Sequence, residues 1–182
     1  MNFIDDDDLE RSNFYKLFSP LFLRNPDEDT LIRIKEIFEI KFGDSSEEIQ
    51  MDFSYLFSDA GGRLPPFESL YNYLLSDKPR LWGTATEEVQ GLYESAGITL
   101  DEEIELIPDH LSAELLFMSY LIENHLTEQQ KFFLEKHLLA WVLDYCDEIR
   151  RIARTSFYIR VAELLTEFIL DECEEFGIET DQ

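Results

Sequence analysis

The stretch LIPDHLSAELLFMSYLIENH, residues 106–125, decides which fold this sequence predicts. Its apolar side chains recur at spacings of three and four residues, at Leu111, Leu115, Met118 and Ile122. That spacing is the period of an α-helix with one buried face. Pro108 and Asp109 stand ahead of it, where a carboxylate can accept hydrogen bonds from the free N–H groups of a first helical turn. The stretch therefore predicts a core helix that starts at a Pro-Asp-His element.

The same element has a second interpretation, as a binding site. His110 and Glu114 are four residues apart, so one helix face would present an imidazole and a carboxylate together. Capping by Asp109 explains the Pro-Asp pair but leaves the histidine unexplained. Carboxylates accept the arginine guanidinium with two parallel hydrogen bonds. A helix start beside the PPFESLY segment at 65–71 is therefore also a candidate site for a peptide that carries arginine.

Helical periodicity continues through the rest of the chain. Further helices are predicted at 9–23 with a kink at Pro20, and at 27–42, 45–58, 68–75, 86–96, 127–146 and 155–176. We predict an all-α fold, a single-domain helical bundle of about eight to ten helices over residues 1–182. The acidic tail at 1–8 and the C-terminal tail at 177–182 are the candidate disordered segments.

Local signals mark two helix starts and one long turn. The SSEE segment at 45–48 has the pattern of a capping box, and so does Thr127 with Gln130. Two glycines and two prolines fall within 59–68, where neither helix nor strand can continue, so this segment predicts a loop.

The charge of the chain limits its partners. Forty Asp and Glu residues against fifteen Lys and Arg give a net charge of -25 and a pI near 4.2. Such a surface repels phosphate backbones and anionic lipid heads, so we predict no nucleic-acid partner and no stable membrane association. A basic peptide suits this surface, although the acids can equally serve solubility alone. The start MNFIDDDDLER has acids where a signal peptide has a basic region, which predicts a cytoplasmic protein.

Motifs for catalysis, metals and cofactors are incomplete. ENH at 123–125 and EKH at 135–137 lack the Glu-x-x-His spacing of a helical di-iron site. The glycine pair at 61–62 is followed by RLPP and lacks the lysine and Ser/Thr of a phosphate loop. Cys146 and Cys173 fit neither a zinc spacing nor a CxxC motif. We predict no catalytic residue, no metal site and no cofactor, and a nucleotide-hydrolysing enzyme is an alternative that no motif supports.

Five segments of the chain carry a resemblance to a known family. They are FYKLFSPLFLRNP at 14–26, PPFESLY at 65–71, PDHLSAELLFMSYLIE at 108–123, FFLEKHLLAWVLDY at 132–145 and SFYIRVAELLTEFI at 156–169. In this order they resemble the TorD/DmsD/NarJ family, the redox-enzyme maturation chaperones of molybdenum-containing oxidoreductases. The Pro-Asp-His-Leu element is the most specific part, and Ile107 departs from the family because a proline is common at that position.

The resemblance implies an all-helical, cytoplasmic and non-catalytic chaperone. Such a protein binds the N-terminal, often twin-arginine, leader of the apo catalytic subunit of a molybdopterin oxidoreductase. It holds that subunit for cofactor insertion and assembly before export. One branch of the family assembles a nitrate-reductase-type subunit that is not exported, and this client is the alternative. A homodimer formed by exchange of helices is a further state that the sequence leaves open.

The predicted peptide-binding residues combine this resemblance with side-chain chemistry. The resemblance implies that 108–111 is the leader-binding motif, that Glu68, Ser69 and Tyr71 belong to the neighbouring loop, and that Trp82 lines the same groove. Carboxylates would hold the arginines, and apolar side chains would contact the rest of the leader. The full predicted set is Phe67, Glu68, Ser69, Tyr71, Trp82, Pro108, Asp109, His110, Leu111 and Glu114.

Overall fold

The computed structural model of the chain describes residues 4–38, 41–58, 61–75, 78, 80–98 and 106–180. Its α-helices are α1 (Asp6–Phe18), α2 (Pro20–Leu23), α3 (Glu28–Ile37), α4 (Ser46–Phe57), α5 (Thr84–Ser95), α6 (Leu111–Glu123), α7 (Thr127–Phe133), α8 (Leu139–Ile152) and α9 (Ser156–Glu175). A 3₁₀ turn, Glu68–Leu70, precedes α5, and a π-helical turn, Leu134–Leu138, joins α7 to α8. None of the described helices is both long and apolar enough to cross a membrane.

The all-α class is confirmed. One residue separates α1 from α2, and α7 runs through the π-helical turn into α8, so the described residues form seven helical rods. This number is slightly below the eight to ten helices expected. No strand occurs in the described ranges, where β-structure is limited to one isolated bridge between Phe67 and His110.

Side-chain caps fix several helix starts where the sequence predicts them. The Ser45 hydroxyl accepts from the Glu48 N–H at 3.3 Å and the Glu48 carboxylate accepts from the Ser45 N–H at 2.8 Å, which confirms the capping box of α4. The second capping box is wrong. Gln130 is buried and donates from Nε2 to the carbonyl of Leu121 at 3.2 Å, so this side chain ties α7 to α6 instead of capping its own helix.

Other boundaries also differ from the prediction, among them the end of α8, which lies at Ile152 and not at residue 146, and the start of α5, which lies at Thr84 and not at residue 86. The helix α1 begins at Asp6, because the Asp5 carboxylate accepts from the Asp8 N–H at 2.8 Å. The helix α3 ends at Ile37, whereas the predicted helix runs to residue 42, and residues 39–40 lie outside the described ranges. The helix predicted at 68–75 is only a 3₁₀ turn. Of the candidate disordered tails, 1–3 and 181–182 lie outside the described residues, and their disorder stays a prediction, as does the single-domain organisation.

The helix α6 forms the centre of the core. Its predicted buried row, Leu111, Leu115, Met118 and Ile122, has no exposed surface, which confirms this part of the prediction. The helix also buries Phe117 and Leu121, so more than one stripe of its surface is covered. It packs along α1 on one side, while α8 packs along α9. Because neighbours surround its first turn, any functional group placed there is enclosed as well.

A half-buried ion pair ties the first helix to the last one. Arg11 Nε donates to Glu172 Oε1 at 2.6 Å, and Arg11 Nη2 donates to Glu172 Oε2 at 2.8 Å. The Tyr15 hydroxyl also donates to Glu172 Oε2, at 3.1 Å. These bonds join residues 157 to 161 positions apart in the chain, so they stabilise the packing of α1 against α9 and not a local structure.

We expect Glu172→Ala to lower the free energy of unfolding by about 2 kcal/mol, because it removes the acceptor of the Tyr15 hydroxyl and two of the hydrogen bonds of the Arg11 guanidinium, which keeps only its bonds to Asp8 and Gln130. The matched control is Glu163→Ala, which breaks an exposed pair with Arg160 and should cost no more than about 1 kcal/mol. Urea unfolding followed by circular dichroism measures both values. Equal losses in the two variants would contradict a special role for the Arg11–Glu172 pair.

Candidate functional site

The Pro-Asp-His element lies inside the protein, where it connects the 3₁₀ turn to α5. The Asp109 Oδ2 atom accepts from the Ser69 N–H at 2.8 Å, and its Oδ1 atom accepts from the Thr86 hydroxyl at 2.8 Å. Asp109 has no exposed surface. The N-cap of α6 is His110, whose Nδ1 accepts from the Ser112 N–H at 3.1 Å. The interpretation of Asp109 as the cap of this helix is therefore wrong, since its carboxylate joins two other elements.

Backbone hydrogen bonds pair the same element with the predicted neighbouring loop. The Glu68 N–H donates to the Asp109 carbonyl at 2.9 Å, and the Leu111 N–H donates to the Pro66 carbonyl at 2.8 Å. The ring of Phe67 packs edge-on against His110, with 5.0 Å between the ring centroids. We term these paired segments, 66–69 and 108–111, the clasp. The clasp brings together the two segments that the sequence places at one site.

A buried polar network lies next to the clasp. The Nδ1 atom of His137 is 3.0 Å from both carboxylate oxygens of Glu68, and the Asn72 side-chain amide donates to Glu68 Oε1 at 2.6 Å. The indole N–H of Trp141 donates to Glu114 Oε2 at 3.3 Å. His137 belongs to the π-helical turn, a local widening of the helix that is frequent at functional sites. Four separate segments therefore contribute polar groups to one interior cluster.

Glu114 has a displaced pKa in the folded protein. Burial raises the pKa of its carboxyl well above the usual 4.5, and the negative charges of Glu68 and Asp109 raise it further. The hydrogen bond from Trp141 acts in the opposite direction and is the smaller effect. Glu114 therefore holds its proton in the folded protein under conditions where an exposed glutamate has lost it.

A cleft opens beside the clasp, between the 3₁₀ turn and the first turn of α5. Its volume is about 360 Å³. The lining includes Ser69, Asn72, Arg80, Gly83, Thr84 and Ala85. Because Asp109 bonds to both Ser69 and Thr86, this one carboxylate fixes the distance between the two walls of the cleft.

Exposed apolar side chains occupy the segment that connects those two walls. Tyr73 is 69% exposed, Leu74 80%, Leu81 42% and Trp82 61%. We term these four residues the apolar patch. Trp82 also has a backbone φ of +57°, in the left-handed region that few residues other than glycine adopt. Four exposed apolar side chains within ten residues make this segment a candidate interaction surface.

The ten predicted peptide-binding residues differ in their exposure to solvent. Trp82 is exposed and Tyr71 is half-buried, whereas the other eight are buried. We expected Glu68, Asp109 and Glu114 at an accessible surface, but all three have no exposed area, because interior donors from other elements surround them. A part for them in peptide binding stays a prediction.

Sequence reasoning missed Tyr73, Leu74 and Leu81. The available signal is a set of apolar residues inside the turn-rich segment at 71–83, where no periodicity predicts a buried face. Their exposure depends on which elements flank the segment, and the sequence does not give this arrangement directly.

The described residues offer neither a metal-binding cluster nor a reactive thiol. No group of three or more His, Cys, Asp or Glu side chains there could hold a metal ion. Both cysteines are buried, and burial raises the pKa of Cys146 to about 12 and that of Cys173 to about 11. Thiols of this kind hold little thiolate at neutral pH and are poor nucleophiles.

Comparisons with known proteins agree on one family. A family model described as the nitrate reductase delta subunit matches residues 28–147. The chain is 31% identical over 141 residues to the chaperone protein TorD of Vibrio parahaemolyticus, with 69% of this chain and 62% of that protein covered. It is 29% identical over 104 residues to the perchlorate reductase assembly chaperone protein of Dechloromonas aromatica, with 50% and 46% covered. The matched region thus spans less than two thirds of these relatives.

A solved structure shares the fold. It is the crystal structure of a protein from Archaeoglobus fulgidus described as a redox enzyme maturation protein. The TM-score is 0.60 at 23% sequence identity, and the match covers 87% of this chain and 93% of the other. At this identity the likeness supports the helical arrangement alone.

We expect Glu114→Gln to change how stability depends on pH. In the wild type the folded state keeps a proton that the unfolded chain releases near pH 4.5, so the free energy of unfolding falls as pH rises above that value. Glutamine is neutral at every pH and removes this loss, which amounts to at most about 1.4 kcal/mol for each pH unit crossed. The free energy of unfolding of the variant should therefore increase relative to that of the wild type as pH rises above 4.5.

The measurement is urea unfolding at several pH values, with Glu94→Gln on the exposed face of α5 as the matched removal of one charge. Parallel pH profiles for the wild type and Glu114→Gln would contradict a protonated Glu114.

Proposed function

Because the chain belongs to the TorD family of redox-enzyme maturation chaperones, which the nitrate reductase delta subunit model describes, we propose that it acts as a chaperone and not as an enzyme. Its client is the apo catalytic subunit of a molybdopterin oxidoreductase, which it binds in the cytoplasm through the N-terminal leader. It holds this subunit for cofactor insertion and assembly. The names of the relatives support the chaperone role, and the leader as the bound segment is our own proposal.

The apolar patch is the observation that carries this proposal. A leader peptide couples a basic pair to an apolar segment, so its receptor needs exposed apolar contacts next to negative charge. Trp82 and Tyr73 offer large, rigid contact areas, the type of side chain that dominates binding energy at interfaces. Leu74 and Leu81 are exposed apolar side chains next to them in the sequence. The apolar segment of the leader lies on this patch.

Negative charge is available close by. Glu87 and Glu88 are exposed on α5, five and six residues after Trp82, and the whole chain carries a net charge of -25. Exposed charges of this kind accelerate association and make it depend on salt, while buried contacts set the rate of dissociation. The basic pair of a leader therefore meets the acidic surface of α5 first, and the apolar contacts hold the complex.

The clasp positions the patch. The segment that carries the patch begins after the 3₁₀ turn and ends at α5, and Asp109 holds both of these elements through Ser69 and Thr86. Asp109 thus acts as a positioning residue, through the segment that it holds. A direct contact between a leader arginine and Glu68, Asp109 or Glu114 requires the clasp to open first.

We expect Trp82→Ala to weaken the binding of a synthetic twin-arginine leader peptide by about tenfold, because it removes the largest exposed aromatic side chain of the patch. Thermal stability should stay unchanged, since this side chain is mostly in solvent. Isothermal titration calorimetry measures the affinity, and Phe132→Ala, which removes an exposed aromatic side chain from α7, is the matched control. Equal affinity of the wild type and Trp82→Ala for the leader would show that the patch is not part of the leader-binding site.

The same titration separates the two kinds of client. A leader with Lys-Lys in place of Arg-Arg keeps the charge but loses the planar, two-bond geometry of the guanidinium. Weaker binding of the Lys-Lys peptide favours an exported subunit with a twin-arginine leader. Equal binding favours the alternative, a nitrate-reductase-type subunit that stays in the cytoplasm.

We expect Asp109→Ala to act on stability and binding together. It leaves the Ser69 N–H and the Thr86 hydroxyl buried without an acceptor, at a cost of about 2 kcal/mol. Amide hydrogen exchange at Ser69 and in the first turn of α5 should become faster, and leader affinity should fall with it. Asp109→Asn keeps one acceptor oxygen, so its stability and its leader affinity should lie between those of the wild type and Asp109→Ala. Loss of affinity with unchanged exchange would instead indicate direct contact between Asp109 and the leader.

A further inference from the structure

The floor of the cleft is a helix start that lacks a side-chain cap. The helix α5 has twelve residues, and its N-cap is Gly83, which has no side chain that could accept from the first turn. The first N–H groups of a helix need such an acceptor, and together they carry about half a positive charge. Thr84 and Ala85, the first two residues of the helix, line the cleft. Acceptors in the cleft would therefore meet N–H donors that no side chain of the described residues caps.

A buried hydroxyl stands on the opposite wall. Ser69 is only 4% exposed and lines the same cleft. Its backbone N–H donates to Asp109, but its Oγ atom has no hydrogen-bond partner among the described residues. A buried hydroxyl without a partner costs free energy, so such groups are rare unless a ligand or a water molecule completes them.

The cleft also concentrates positive charge in a strongly acidic chain. Arg80 and Lys78 both line it, and Glu87 contributes the opposing charge. Arg80 presents a planar set of donors that matches two oxygens of one anion. With the helix start and Ser69, the cleft therefore offers donors from three directions.

We propose that this cleft binds a small oxyanion, the phosphate or carboxylate group of a small-molecule ligand. The N–H groups of Thr84 and Ala85 donate to the anion from the floor, the Ser69 hydroxyl donates from the wall, and Arg80 covers the open side. A volume of about 360 Å³ exceeds that of a lone phosphate, so the ligand carries a further group beyond its anion. This site is separate from the apolar patch and does not depend on leader binding.

The test is calorimetric titration of the full chain, without any leader peptide, with inorganic phosphate and with acetate at low ionic strength. Saturable binding of one equivalent of either probe is the expected result, and the tighter probe identifies the anionic group. No saturable heat with both probes overturns the proposal.

One position allows a matched pair of variants. Thr84 is the first residue of α5, where proline is well tolerated, and Gly83 before it is extended, as a residue preceding proline prefers to be. Thr84→Pro therefore deletes one N–H donor while the helix start is kept, and Thr84→Ala deletes the side chain but keeps that donor. We expect Thr84→Pro to weaken anion binding by about two- to fivefold, and Thr84→Ala to leave it unchanged.

Two further variants complete the test. Ser69→Ala and Arg80→Gln should each weaken binding, while Arg24→Gln, which removes one exposed positive charge after α2, should not. Circular dichroism verifies that each variant is folded. Anion binding that is the same in the wild type, Thr84→Pro, Ser69→Ala and Arg80→Gln overturns the assignment to this cleft.

Discussion

The carboxylate of Asp109 is the constraint on which the rest of the site depends. Its two oxygens accept from Ser69 and Thr86, which lie 40 and 23 positions earlier in the chain. Burying a charged or polar group without partners costs several kcal/mol, so these bonds must form for the interior to be stable. Once they form, the 3₁₀ turn and α5 have a fixed separation. The cleft lies between these two elements, and the segment with the apolar patch connects them.

The polar cluster behind the clasp extends the same principle. Glu68, Glu114 and His137 come from the 3₁₀ turn, α6 and the π-helical turn, and none of them has more than 1% exposure. Apolar residues of equal volume would often give equal or greater stability at such positions. A polar cluster accepts far fewer alternative arrangements, because each donor must meet an acceptor. The polar cluster therefore fixes the register of α6 and α8 against the clasp. It also fixes the position of the 3₁₀ turn, from which the patch segment starts.

Local signals account for what was predicted correctly. The burial of the row from Leu111 to Ile122 could be predicted because its apolar residues recur with the helical period. The capping box of Ser45 and Glu48 could be predicted because both residues lie within one stretch of four. Two of the wrong predictions involve side chains with distant partners. Gln130 reaches α6 instead of its own helix, and Asp109 binds the 3₁₀ turn and α5 instead of capping α6. In both cases a tertiary acceptor or donor replaced the local one.

By itself, the sequence determined the all-α class, the order of the helices and the pairing of the Pro-Asp-His element with the PPFESLY segment. Tertiary structure alone decided that Asp109, Glu68 and Glu114 are enclosed and that the patch around Trp82 is exposed. The physical reason is that periodicity and capping act over a few residues, whereas the burial of a carboxylate depends on donors that other segments bring from far along the chain.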